Sequence, residues 1–241
     1  MRVLRDAALA YRTAVTAAGL VWPERTATQG AQAPDLDLVH RLFDVDHVPE
    51  QLTWLASEGW DPQQPGPEAG WLLRWPTDVT AGESLDLLSF AVGTPFHWRH
   101  QIPLFRFARL VFTFVVEGDH EGEIWRYLIS PDLYDPVRAA PSLAALVTEW
   151  TKGIASGVVY HRELDKRLRV GEPSETAQPF EVLRQRAPEL DPLAFPIDIP
   201  APTMRERQRE CGVDLDCVDR GPECQQELED DVDAVRASLG L

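Results

Sequence analysis

The densest grouping of chemically capable side chains in this chain is the run EGDHEGEIWRY at 117–127. Four carboxylates, Glu117, Asp119, Glu121 and Glu123, surround His120 and are spaced by Gly118 and Gly122. Carboxylates around an imidazole have the composition of a metal site or an acid/base pair. Two more imidazoles, His97 and His100, stand in PFHWRH at 95–100. Their HxxH spacing would put both rings on one side of a helix, but Pro95 and Pro103 argue against a helix there. Consecutive residues of a turn point in different directions, so convergence on one ion is not expected at 117–123. A metal-dependent hydrolase built on His97, His100 and His120 therefore ranks last among the functional readings. The first expectation is an exposed acidic tip with no metal and no cofactor.

Other catalytic signatures do not emerge. There is no GxSxG elbow and no glycine-rich phosphate loop. Cys211, Cys217 and Cys224 follow C-x5-C and C-x6-C spacings, which match no zinc pattern, and acidic neighbours disfavour their thiolates. The stretch DLDCVDRGPECQ at 214–225 begins like a calcium loop but has Asp219 where glycine is required and Gln225 where glutamate is required. The expected reading is a non-enzymatic protein.

The elements that must position these residues can be read from periodicity and breakers. Leu4, Ala7, Ala8, Tyr11, Val15 and Ala18 fall at helical spacing, so the N-terminus reads as an amphipathic helix ending at Gly19 and not as a signal peptide. Helices are predicted over 36–43 and from Pro49 through VPEQLTWLASEG, the latter with Leu52 and Leu55 or Ala56 inward and Gly59 as its stop. Residues 23–35 and 61–70 are rich in turn formers. WLLRW at 71–75 and SLDLLSFAV at 84–92 are predicted strands. RLVFTFVV (109–116) and EIWRYLI (123–129), joined by six residues with two glycines, predict a β-hairpin. In APSLAALVTEWTKGIASG, Leu143, Leu146, Val147, Trp150 and Ile154 mark one face of a helix begun at Pro141 or Ser142. Seven prolines in 171–202 predict an extended strap, and a helical, acidic C-terminus follows. The division expected is a main domain at 1–165 and an extension at 166–241.

The 241 residues carry a formal net charge of −16. A field of that sign repels nucleic acid and anionic lipid and attracts basic proteins. No stretch reaches the ~20 apolar residues a membrane span needs, and three cysteines, an odd number gathered near the C-terminus, fit a reducing cytoplasm.

The order of RLVFTFVV, a glycine-bearing turn, GEIWRY and APSLAALVTEW, with VPEQLTWLASEGWD upstream, resembles the SUKH superfamily over roughly residues 35–160, best over 105–157. That resemblance implies an α+β fold with an antiparallel β-sheet partly wrapped by α-helices. It also implies an immunity protein of the kind many bacterial members are, neutralising a cognate toxin, often a nuclease. The expected partner is a basic protein, met by the hairpin acids Glu117, Asp119, Glu121 and Glu123, or by the acids at 35–50 (Asp35, Asp37, Asp44, Asp46, Glu50). A regulatory or scaffolding module of the same fold is the alternative.

Overall fold

The computed structural model describes residues 1–19, 36–57, 78–130, 133–162, 167–172 and 176–241. The architecture is α+β. A four-stranded antiparallel sheet in the order β1-β2-β3-β4 is formed by Gln101–Phe107, Leu110–Val115, Ile124–Leu128 and Val137–Ala140. Every residue of β2 and β3 is buried. Both faces of these strands are therefore covered, which is why their sequences read as continuous apolar runs and not as an alternation.

One face rests on α5 (Leu143–Ala155), whose N-cap Ser142 accepts the Ala145 amide at 3.1 Å. Trp150 of α5 meets Phe105, Phe107 and Phe112 edge-on, with ring centroids 5.1, 6.0 and 6.4 Å away. Behind it lies α1 (Arg2–Ala17), which buries Leu4, Ala7, Ala8, Tyr11 and Val15, the face expected from spacing. At the other end of the sheet a second apolar cluster joins Val115, Trp125 and Val137 to Leu193, Met204, Cys211, Val213 and Val218. These partners come from a 3-10 turn at Pro192–Ala194, from α7 (Ala201–Glu210), from α8 (Leu215–Arg220) and from the chain around them. The main apolar cluster itself takes residues from 180–197 and Val232 as well as from the N-terminal segments.

The proline-rich strap is laid over the sheet, but it is not extended throughout. Pro179 opens a helix, α6 (Pro179–Arg186), at the first-turn position where a missing N–H costs nothing. Residues 195–200 then cross the sheet without regular structure, and buried Arg126 holds them there. Its guanidinium donates to the Phe195 carbonyl at 2.9 Å and the Ile197 carbonyl at 3.0 Å.

SLDLLSFAV is not a strand. It runs through α4 (Asp78–Leu88) into a turn. Ala81, Leu85 and Leu88 form a fully buried stripe at i, i+4 and i+7. A short apolar run has no period of its own to distinguish strand from helix, and the packing decides. WLLRW, Gly59 and the loops at 23–35 and 61–70 lie outside the described residues. The helices at 36–43 and after Pro49 are α2 (Leu36–Phe43) and α3 (Glu50–Ser57), with Leu52 and Leu55 buried. A two-stranded sheet, β5 (Val159–Arg162) and β6 (Arg167–Val170), and a last helix, α9 (Pro222–Leu239), complete the described chain. Among the described residues no helix is long and apolar enough to cross a membrane.

Candidate functional site

Three loops that are far apart in sequence meet at one edge of the molecule. They are the α2–α3 connection (44–49), the turn before β1 (96–100) and the tip of the β2–β3 hairpin (116–123). The backbone N–H of Asp46 donates to Glu117 Oε1 at 2.9 Å, and the other side of that carboxylate lies 3.9 Å from His100 Nε2. The Val116 N–H donates to the His100 carbonyl at 3.0 Å. Phe96 packs on the His120 ring at 5.8 Å.

Arg99 fixes the third side of this junction. Its Nε donates to the Leu42 carbonyl at 3.2 Å, a second nitrogen donates to the Arg41 carbonyl, and its remaining nitrogen lies 3.8 Å from Asp44 Oδ2. The carbonyls of the last helical turn have no intrahelical partner and carry the negative end of the helix dipole, so a guanidinium is the favoured cap. Asp44 follows with φ +53°, a left-handed conformation that aspartate tolerates and that reverses the chain. His40 Nδ1 contacts the Val45 carbonyl at 2.6 Å.

Glu123 is the best-partnered acid here. One oxygen accepts from Arg138 at 2.8 Å; the other accepts from the Trp125 indole at 2.9 Å and from His120 Nδ1 at 3.0 Å. Burial pushes its carboxyl up, but the hydrogen bonds from Arg138, Trp125 and His120 outweigh that and hold it below the ordinary range. Folding therefore gains from the ionised form above about pH 4.3, and the gain is lost as pH falls through the depressed folded value. Glu123→Gln is expected to cost roughly 1–2 kcal/mol at neutral pH, with variant and wild type converging only as pH falls through the depressed folded value. Urea melts across pH check this, and a constant difference between the two proteins would contradict it.

The sequence-predicted acids thus divide. Glu117 and Glu123 face inward: Glu117 ties the hairpin tip to the other two loops, and Glu123 ties it to β3 and β4. Asp44, Asp46, Glu50, Asp119 and Glu121 are exposed, as is Asp37 on α2; Asp35 lies outside the described residues. The hairpin acids and the 44–50 acids, separate candidates in the sequence, are neighbours across the Asp46–Glu117 bond. No known protein family, curated protein or solved structure matches the chain.

The histidines are placed in two groups. His97 and His100 lie with centroids 5.2 Å apart and their rings tilted by 48°, while His120 belongs to the hairpin and turns edge-on to Trp125. Burial pushes the His97 imidazole down, assisted by His100 and Arg99, against the opposing pull of Asp44 and Asp231. Among the described residues no group of three or more histidine, cysteine or acidic side chains has the geometry to hold a metal ion. The three thiols are free. Burial pushes Cys211 up, and burial together with the Cys224 thiol pushes Cys217 up to about 12, so desolvation outweighs acidic neighbours as the cause. Thiols held protonated in this way are poor nucleophiles. The calcium-like stretch is helical: Asp214 caps α8 by accepting the Cys217 amide at 3.0 Å, Asp216 lies in its first turn, and Gly221 turns the chain into α9.

Sequence reasoning did not find Arg99 and Arg138, the two cations that fix this edge. Nothing local marks an arginine whose partners are more than 50 residues away (Arg99 to Leu42) or lie across a strand pair (Arg138 to Glu123). Chemically the site offers exposed, pre-positioned negative charge on rigid supports.

Proposed function

We propose that this chain is a non-catalytic acidic binding protein of the immunity type, which covers the basic active surface of a toxin-like partner. The observation that carries the reading is the Asp46–Glu117 hydrogen bond, which joins two acid-bearing loops into one exposed negative face on a chain of charge −16. A nuclease toxin exposes cations for phosphate, and such a face would be drawn onto it quickly by long-range attraction. The reading keeps the SUKH-type resemblance as part of the proposal, and the reducing compartment proposed with it is the cytoplasm.

The test has two stages. Tagged chain purified from its own host should retain a single basic protein in near-equal amount. Recovery of several unrelated proteins would instead move the reading to a regulatory or scaffolding module. With that partner in hand, replacing Asp44, Asp46, Asp119 and Glu121 by their amides is expected to slow association on the order of tenfold at low ionic strength and to flatten its salt dependence. An association rate with unchanged salt dependence would overturn the assignment of this face.

A further inference from the structure

Five of the six histidines of the chain lie at the acidic edge once its first loop is taken with the flanking ends of α2 and α3 (40–50): His40 and His47 there, His97 and His100 in 96–100, and His120 in 116–123. We infer that these histidines make the face pH-gated, so that it holds a basic partner near neutral pH and releases it on mild acidification. This inference rests on the binding role proposed above and adds its regulation.

The three segments contain seven carboxylates and two arginines, a formal charge of −5, and each imidazole that gains a proton there cancels one unit of it. An unperturbed imidazole changes charge near pH 6.5, where carboxylates stay ionised, so acidification removes the negative field without touching the acids themselves. The placement is specific. His100 stands against Glu117, the residue that links the loops, and His120 against Glu123. His97 lies beside His100, with ring centroids 5.2 Å apart, and is faced by Arg99, Asp44 and, from α9, Asp231. Glu123 is shared with Arg138 of β4, beside which lie Glu210 and Cys211. His40 contacts the Val45 carbonyl, and His47 is exposed next to Asp46.

Because no partner is identified, the probe is a fluorescein-labelled decalysine peptide titrated against the full chain. In about 20 mM salt, anisotropy is expected to show affinity falling on the order of tenfold between about pH 7.5 and pH 5.5. Replacing His47, His97, His100 and His120 by glutamine should flatten that fall. His40 is kept because its ring bridges the α2 terminus. Wild-type binding that is equal at the two pH values, or a fall that persists in the variant, would overturn the gate. Calorimetry of wild type in two buffers of different ionisation heat, at about pH 6.5, gives a check that needs no variant. Protons should be released as the peptide binds, and zero release would also overturn the gate. If instead the amide variant of Asp44, Asp46, Asp119 and Glu121 binds decalysine as tightly as wild type near neutral pH, the face itself is wrong, whatever the pH dependence.

Discussion

Arg126→Met is expected to destabilise the protein by about 3–5 kcal/mol near neutral pH, among the largest effects of any single substitution here. Arg126 lies wholly out of solvent on β3, opposite Phe112 of β2, with its guanidinium over the Phe112 ring at 5.9 Å. It satisfies the Phe195 and Ile197 carbonyls of the strap and stands 3.9 Å from Asp135, which also accepts the Leu128 amide at 2.5 Å. Methionine fills most of the volume but donates nothing, leaving two strap carbonyls and a carboxylate without their partner.

Burial pushes the Asp135 carboxyl up to about 6, with Arg126 as the main force pulling it back. Burial likewise pulls Arg126 down against the attraction of Asp135. The two shifts agree that desolvation exceeds the attraction within the pair, so the ion pair is retained for what it holds and not for its own energy. A carboxyl whose folded value is raised binds its proton more tightly when folded. Its favourable contribution is complete below about pH 4 and is lost as pH rises through about 6. The Arg126→Met deficit should therefore be smaller at pH 5, where Asp135 takes up a proton, than at pH 7.5. Urea midpoints at the two pH values test this, with limited proteolysis at 187–200 reporting release of the strap. A deficit under about 1 kcal/mol, or one that does not change with pH, would contradict the assignment.

Trp150→Ala is expected to cost a similar 3–5 kcal/mol, lowering the melting temperature by roughly 10 °C. Trp150 is fully buried and connects four elements of the fold. It packs on Phe105 and Phe107 of β1, on Phe112 of β2 and on Tyr11 of α1 at 6.2 Å, and its indole N–H donates to the Ala194 carbonyl at 2.7 Å. Alanine leaves a cavity that these rings, fixed by their own neighbours, cannot fill. Trp150→Phe keeps most of the packing and loses the hydrogen bond, so it should cost about a third as much. Calorimetric melts of both variants separate the two contributions, and equal losses would mean that the Ala194 bond, not the packing, dominates.

The signals legible along the chain were local ones. The β2–β3 hairpin was legible because two β-branched and aromatic runs flank a loop with Gly118 and Gly122, both of which take positive φ (84° and 88°). The helix α5 was legible from its stripe and its serine cap, and α1 from its spacing. The strand β1 was not. It contains Pro103, where the register with β2 shifts, and it turns into β2 through Ala108 at φ +55°, a position with no glycine or asparagine to announce it. β4 is four residues long and meets β3 through another register shift, too short and irregular to carry a period.

The site divides along the same line. Composition and charge alone pointed to the acids at 35–50 and 117–123 as candidates. The tertiary fold brings them to one edge, through an Asp46–Glu117 bond that spans 71 positions no local rule connects. It also decided which acids face outward. Glu121 and Glu123 are chemically identical and two residues apart, yet Glu123 is turned toward Trp125, His120 and Arg138 while Glu121 stays in solvent. The periodicity of a short turn does not fix a side chain's direction; the partners waiting on β3 and β4 do, because a carboxylate that finds three donors can be withdrawn from water and one that finds none cannot.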